Sequence, residues 1–254
     1  MSDPPEKNGC MTDDFHKFPH TPHLIWLGSD PPRKDKILSP DEVSVFLNGT
    51  VIIEEKTDGA NIGFSVGSDG KIRVQSRGRY IRSFGHSQFA LIRTWIAEKQ
   101  PAMEKALAPG LILFGEWCYA RHSIYYDRLP DWFLAFDVYD SRRGEFWPVR
   151  RRNEFVKSLG LITVPFLDTG CFTRPELLKY IARSSMTDRQ MEGIYLRKEK
   201  KDILAARAKI VRPEFMQSVG KHWTKRALEK NKLNCPAEQN DYSGNTDFRR
   251  MINL

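Results

Sequence analysis

Residues 54–64 read EEKTDGANIGF. Lys56 stands among three carboxylates, Glu54, Glu55 and Asp58, directly after the apolar run Val51-Ile52-Ile53 and before a second strand-like stretch. Two readings compete. In one, Lys56 is a surface cation in a hairpin turn, although exposed ion pairs stabilise little. In the other, the lysine is held as a nucleophile and the acids serve its surroundings. The remainder of the chain decides between them.

The length of 254 residues suits one large domain or a domain with an appendage, and ordinary apolar content marks a globular protein. No run approaches the ~18 apolar residues of a membrane span, so no membrane partner is expected. MSDPPEKNGC lacks the basic and apolar regions of a signal peptide. Cys10, Cys118, Cys171 and Cys235 lie far apart with no C-x-x-C pair, which points to a reducing, cytoplasmic setting. Charge is more telling. The formal net is +8, and residues 197–232, with twelve Lys/Arg and four Asp/Glu, account for all of it. Such a stripe suits a phosphate-rich partner, or equally a solvated helix face with a loop.

Residues 1–20 are polar and proline-rich and are expected to be flexible. FPHTPHLIWLG then looks ordered. SPDEVSVFL (39–47) reads as a helix with Ser39 as N-cap and Pro40 in its first position. TVIIEEK, ANIGFSV and KIRVQSR predict strands, the last two joined by GSDG. QFALIRTWIAEK predicts a helix. LILFGEWCYA and WFLAFDVYD predict strands, the second apolar enough to be buried on both faces. EFVKSLG and PELLKYIARS follow as helices, then EGIYLRKE and ARAKIVR as late strands. FMQSVGKHWTKRALEKN predicts a basic terminal helix, with a loose tail from Asn231. Strands arriving in pairs predict an α+β fold with antiparallel sheets.

Polar residues interrupt four of these strands: Glu116 in LFGEWCY, Asp137 after Phe136, Glu192-Gly193 opening EGIYLR, and Lys209 before Ile210-Val211. With Lys56-Thr57-Asp58-Gly59 and SRGR (76–79), their order over residues 50–215 resembles the covalent nucleotidyltransferase superfamily of ATP-dependent DNA ligases, RNA ligases and mRNA capping enzymes. Asn61 stands where DNA ligases and capping enzymes usually carry arginine, so KTDGAN resembles the RNA ligase 2 group. SRGR and YARHSIYYDRLPDWF (119–133) are similar to RNA-repair ligases. The 42 residues after Arg212 are too few for the OB domain of the other two branches. They are also fewer than in the phage type, which leaves the later sealing steps more open than the first.

The resemblance implies a nucleotidyltransferase (ATP-grasp-like) domain over residues 21–213, antiparallel sheets flanked by helices, and a basic helical extension over 214–254. It implies an ATP-dependent RNA ligase with Lys56 as nucleophile: a lysyl-adenylate forms, AMP passes to an RNA 5′-phosphate, and a 3′-hydroxyl displaces it. An amine of pKa ~10.4 is a poor nucleophile near neutrality. Lys209 and a bound Mg²⁺ or Mn²⁺ are the expected depressors of that pKa, the metal held by Glu192. By the same resemblance Glu55 helps read adenine, Asp58-Gly59 sets the loop, and Glu116 accepts from the ribose. Phe136 stacks on adenine, or is a core phenylalanine. Asn61 and Arg77 meet sugar or phosphate of ATP or of the RNA end. Arg207 and Lys209 meet the α-phosphate, Lys209 chiefly, since arginine does not titrate. Glycine at position 59 fits a turn of positive φ.

The expected partners are ATP and RNA with 5′-phosphate and 3′-hydroxyl ends, bound by a monomer alongside RNA end-processing proteins. RRGEFWPVRRR (142–152) and HWTKRALEKNK (222–232) are candidate RNA tracks, or ordinary exposed charge beside core tryptophans. His122 lies near the RNA ends or is structural. The competing functions are a DNA ligase or capping-type enzyme and a non-catalytic RNA-binding relative.

Overall fold

Strand signals follow one another closely after Gly49, and the chain obeys them. The computed structural model describes residues 15–29, 36–85, 87–107, 109–181, 183–217 and 228–234. The elements begin with β1 (His23–Ile25), α1 (Pro40–Leu47), β2 (Val51–Glu55), β3 (Ala60–Val66) and β4 (Ile72–Ser76). A 3₁₀ turn (Ser87–Phe89) leads to α2 (Ile92–Ala106), β5 (Leu111–Trp117), β6 (Phe133–Asp140), β7 (Glu145–Phe146) and α3 (Val149–Ser158). Then come β8 (Ile162–Thr163), β9 (Phe166–Gly170), α4 (Arg174–Lys179), β10 (Gly193–Lys200), β11 (Ile203–Val211) and α5 (Pro213–Gln217).

The result is the expected α+β arrangement. One sheet has the order β1-β11-β10-β2-β9, antiparallel except for β1 beside β11. The other runs β4-β3-β5-β6-β7, with β8 parallel to β6. Alternation along β6 explains its apolar sequence: Phe133 and Ala135 enter a core under α2 and α3, while Leu134 and Phe136 enter a second core with Phe18 and Phe114. A third core packs α1 on the first sheet through Val43, Phe46, Ile53 and Ile210. No described helix is long and apolar enough to cross a membrane.

Ser39 caps α1 as its sequence predicts. Its Oγ accepts from Glu42 N, and Glu42 returns a bond from the Ser39 N–H at 2.8 Å. PELLKYIARS stays helical only to Lys179, because Tyr180 turns away to donate to Asp168 and pack against Phe172.

Two expected loose ends are instead docked. Of the N-terminal twenty residues, 15–20 are anchored by two side chains: Phe18 is buried and His16 stacks on Tyr139. Asn231 is also buried, and residues 228–234 pair with the loop after β5 through Arg121 N to Glu229 O and Lys232 N to Tyr126 O, each 2.8 Å. Leu228 and Leu233 supply apolar burial at the two ends of that segment. Of the proposed terminal helix, residues 218–227 lie outside the described residues, as do 1–14 and 235–254.

Candidate functional site

The stretch after β2 is pinned from both sides. Lys56 N donates to Gly193 O at 3.0 Å, fastening the start of the loop to β10. Asp58 N donates to the Tyr126 hydroxyl at 3.0 Å, and Asp58 Oδ2 accepts from Ser123 N at 2.6 Å and Ile124 N at 2.9 Å. These bonds tie Asp58 to the loop after β5. Gly59 is needed for a different reason than the expected one. Its φ is not positive, but a Cβ there would stand 2.8 Å from the Trp117 carbonyl oxygen and 3.1 Å from Cys118 Sγ. Close approach to β5, rather than turn handedness, excludes a side chain. Gly193 is tighter still, with the Ile210 carbonyl oxygen 2.1 Å from a Cβ.

Between the sheets lies a cavity of about 240 Å³ lined by Glu55, Lys56, Asn61, Arg77, Glu116, Phe136 and Lys209, all residues singled out from sequence. Lys56 Nζ donates to Glu192 Oε2 at 2.6 Å. Burial opposes the ammonium, but attraction to Glu192, then Glu116 and Asp58, outweighs it and raises the Lys56 pKa above the lysine value. The protein's own groups thus favour the ammonium. Burial pushes Glu116 up to about 8, aided by Glu192 and Asp58 and opposed by Lys56 and Arg77. Glu192 is raised by burial and by Asp58, against Lys56. Glu55 is raised by burial, with Ser184 and Ser185 working the other way.

Several cavity-lining groups hold buried polar atoms without a hydrogen-bond partner: Thr57 Oγ1, Asn61 Oδ1, Arg77 Nε and Glu116 Oε2. Buried polar atoms are ordinarily paired, and leaving one unpaired costs ~1–3 kcal/mol. Clustered around one cavity, they mark a place for a ligand rich in donors and acceptors. Carboxylates that raise one another's pKa also suit a hard divalent cation. Glu192 is the fitting holder. Among the described residues no three His, Cys, Asp or Glu side chains converge as a ready metal site, so other ligands would be substrate oxygens and water.

A buried ionic array borders the cavity, with Glu54 and Arg197 in its lining. Glu54 receives Arg152 and Arg197, and Asp137 receives Arg197 and Arg207, the last at 2.9 Å. Burial alone would raise the Glu54 pKa, but the two guanidiniums hold it below the usual range. Arg152 and Arg197 also donate to the Phe136 carbonyl, Arg197 at 2.7 Å, so the array fixes the backbone that carries the ring. Three sequence readings are corrected here. Arg207 is engaged by Asp137 and lies 3.9 Å over the Phe146 ring, and it is not part of the cavity lining. Arg152 of the first candidate RNA track is interior, drawn in by Glu54, and Trp147 is buried under Arg151. The basic stripe from 197 is likewise not all surface, because Arg197 and Arg207 serve the array.

Other side chains at the site were not legible beforehand. Phe18 and Thr21 reach the lining from the N-terminal strap, Thr21 Oγ1 lying 2.7 Å from the Tyr195 hydroxyl, and Arg77 Nη2 donates to Pro19 O at 3.3 Å. Tyr126 holds Asp58. A hint existed in the aromatic FPH and YY pairs, but nothing in their spacing ties them to Lys56. His122 sits by the same loop, 3.4 Å from Gln88 Oε1, its pKa lowered by burial and Lys56 against Asp58. Of the second candidate RNA track, residues 222–227 lie outside the described residues. Within its described end Glu229 pairs with Arg121 at 2.6 Å.

The RNA ligase family model matches residues 49–211. No curated protein matches the chain. Among solved structures, a Naegleria gruberi RNA ligase mutant with ATP and Mn is similar at TM-score 0.54 and 19% identity, over 79% of this chain and 63% of that one. The Naegleria gruberi RNA ligase with PPi matches at 0.52 and 18%, over 85% and 63%. An archaeal ATP-dependent RNA ligase matches at 0.57 and 19%, over 80% and 50%. The chain thus spans less than two thirds of the length of these proteins, and the likeness extends to the fold.

Proposed function

Because this chain belongs to the RNA ligase family, we propose that it is an ATP-dependent RNA ligase that seals 5′-phosphate to 3′-hydroxyl ends through a Lys56 adenylate, in RNA repair. One observation carries this reading: Lys56 stands at a cavity whose buried polar atoms lack partners, on a loop pinned by Asp58.

ATP enters with its base against Phe136 and its ribose toward Glu116 and Asn61. Arg77 and Lys209 bring positive charge to the phosphates. Glu192 would hold a divalent cation, which would supply positive charge for the triphosphate, and with Glu192 so engaged Lys56 would be easier to deprotonate. Lys56 gives up a proton, and its nitrogen lone pair attacks the α-phosphorus. The P–N bond forms as the P–O bond to pyrophosphate breaks, and a second proton leaves the nitrogen. The RNA 5′-phosphate oxygen then attacks the same phosphorus and frees the lysine. A 3′-hydroxyl finally attacks the RNA phosphate and releases AMP. Glu116, protonated near neutrality, offers an O–H as well as an acceptor to the sugar.

Labelled ATP with Mg²⁺ or Mn²⁺ should give a protein–AMP adduct that Lys56→Ala abolishes. An adduct that survives the substitution, or none in the native chain, ends this reading. Nicked RNA, nicked DNA and single-stranded 5′-phosphorylated RNA then test the substrate: sealing of DNA alone would reassign it, and RNA binding without AMP transfer would leave a binding protein.

A further inference from the structure

Residues 228–234 carry none of the groups that adenylation requires, yet they are docked where the nucleophile loop is held. The Asn231 carboxamide is 3% exposed and fully used. Its Oδ1 accepts from Tyr126 N at 2.9 Å, and its Nδ2 donates to Cys118 O at 2.7 Å and Ala120 O at 3.4 Å. One planar group thereby ties the beginning of loop 118–126 to its end. The middle of that loop presents the Ser123 and Ile124 N–H groups to Asp58, and its end presents the Tyr126 hydroxyl to Asp58 N. We propose that Asn231 is a positioning residue for nucleotidyl transfer to Lys56, acting by closing the loop that clamps Asp58. The proposal rests on the adenylation reading.

The residue type fits the task. Asparagine offers an acceptor and two donors on one rigid plane, which neither Asp nor Ala reproduces. Aspartate would set an anion against the carbonyls of Cys118 and Ala120. Alanine would leave the Tyr126 N–H and both carbonyls buried and unpaired. The segment itself has independent support. Asn231 N donates to Tyr119 O at 3.0 Å, Leu129 N to Lys232 O at 2.9 Å, and Arg121 N to Glu229 O at 2.8 Å. These backbone bonds keep 228–234 in place when the side chain is shortened, so the substitution isolates the clamp. Asp58 is two residues from Lys56, and a misplaced nucleophile loses rate rather than substrate affinity.

The test is single-turnover self-adenylation of the full chain, comparing Asn231→Ala, Tyr126→Phe and, as a control on the same segment, Glu229→Gln. Asn231→Ala and Tyr126→Phe should each lower the rate constant at least tenfold, with half-saturating ATP within twofold of the native value. Glu229→Gln, which alters only the contact with Arg121, should stay native. Tyr126→Phe leaves the Asn231 bonds intact, so its loss would trace the effect to the Asp58 contact and not to undocking. Native rates in both variants, or losses matched by a rise in half-saturating ATP, overturn the proposal. Hydrogen exchange of the Ser123 and Ile124 amides reports the link without turnover. Protection lost in Asn231→Ala supports it, and protection retained overturns it. A native chain that forms no adduct defeats the adenylation reading separately.

Discussion

Lys56 Nζ and Glu192 Oε2 meet at 2.6 Å across 136 residues of sequence. The pair explains why a lysine set among acids does not choose its neighbours. Glu55 is turned into the protein and Asp58 is occupied by two backbone N–H groups, leaving Glu192 to hold the ammonium. The same contact favours the protonated amine.

Removing that carboxylate should therefore free the amine and still harm catalysis. In Glu192→Gln the Lys56 pKa falls, and labelling of its amine by an acylating reagent at pH 8–9 should rise about tenfold for each pKa unit lost. Adenylation should fall on the order of 100-fold, as expected when a charge-stabilising group is removed. Peptide mapping by mass spectrometry measures the first. Unchanged labelling would show that the pair does not control the proton.

Glu116 should make stability fall with rising pH. Its folded pKa of about 8 lies above the ordinary glutamate value of 4.5. Between those values the unfolded chain has released a proton that the folded chain retains, so folding loses free energy as pH rises and levels off above about 8. Glu116→Gln removes this slope. Thermal melts from pH 4 to 9 should show the variant matching the native protein at the acid end. At pH 9 it should be more stable by on the order of a few kcal/mol, while adenylation falls. Parallel melting curves would contradict the assignment.

Arg152→Met should destabilise strongly. It leaves Glu54 buried with one guanidinium instead of two, and breaking a buried pair costs about 3–5 kcal/mol. Urea unfolding measures it. A loss below about 1 kcal/mol would place Arg152 at the surface and restore it as an RNA contact.

Phe136→Leu keeps an apolar side chain in the second core while removing the ring. Loss of base stacking, worth ~1–3 kcal/mol, should raise half-saturating ATP by about 5- to 150-fold. If the affinity for ATP is native, Phe136 is a core residue alone, packed edge-on to Phe18 at 5.2 Å.

The motif residues were legible because each interrupts an apolar strand, and an ionisable group there needs a purpose. Glu116 and Lys209 are of this kind, and both line the cavity with Lys56. Arg207 shows the limit of that logic. It shares a strand face with Lys209, yet its guanidinium donates to Asp137 at 2.9 Å, and no local pattern announces that pairing. Arg152 is similar: within RRRNE it is one arginine of three, and only Glu54 distinguishes it.

Sequence alone determined the succession of strands and helices along the chain, the α+β class and the loop that carries Lys56, since periodicity, caps and the K-x-D-G motif are local properties. Tertiary structure alone decided which acid holds Lys56, why position 59 must be glycine, and that residues 15–20 and 228–234 belong to the site's frame. Those outcomes depend on distances between groups far apart in the chain, where burial and charge act through space and leave no spacing to read.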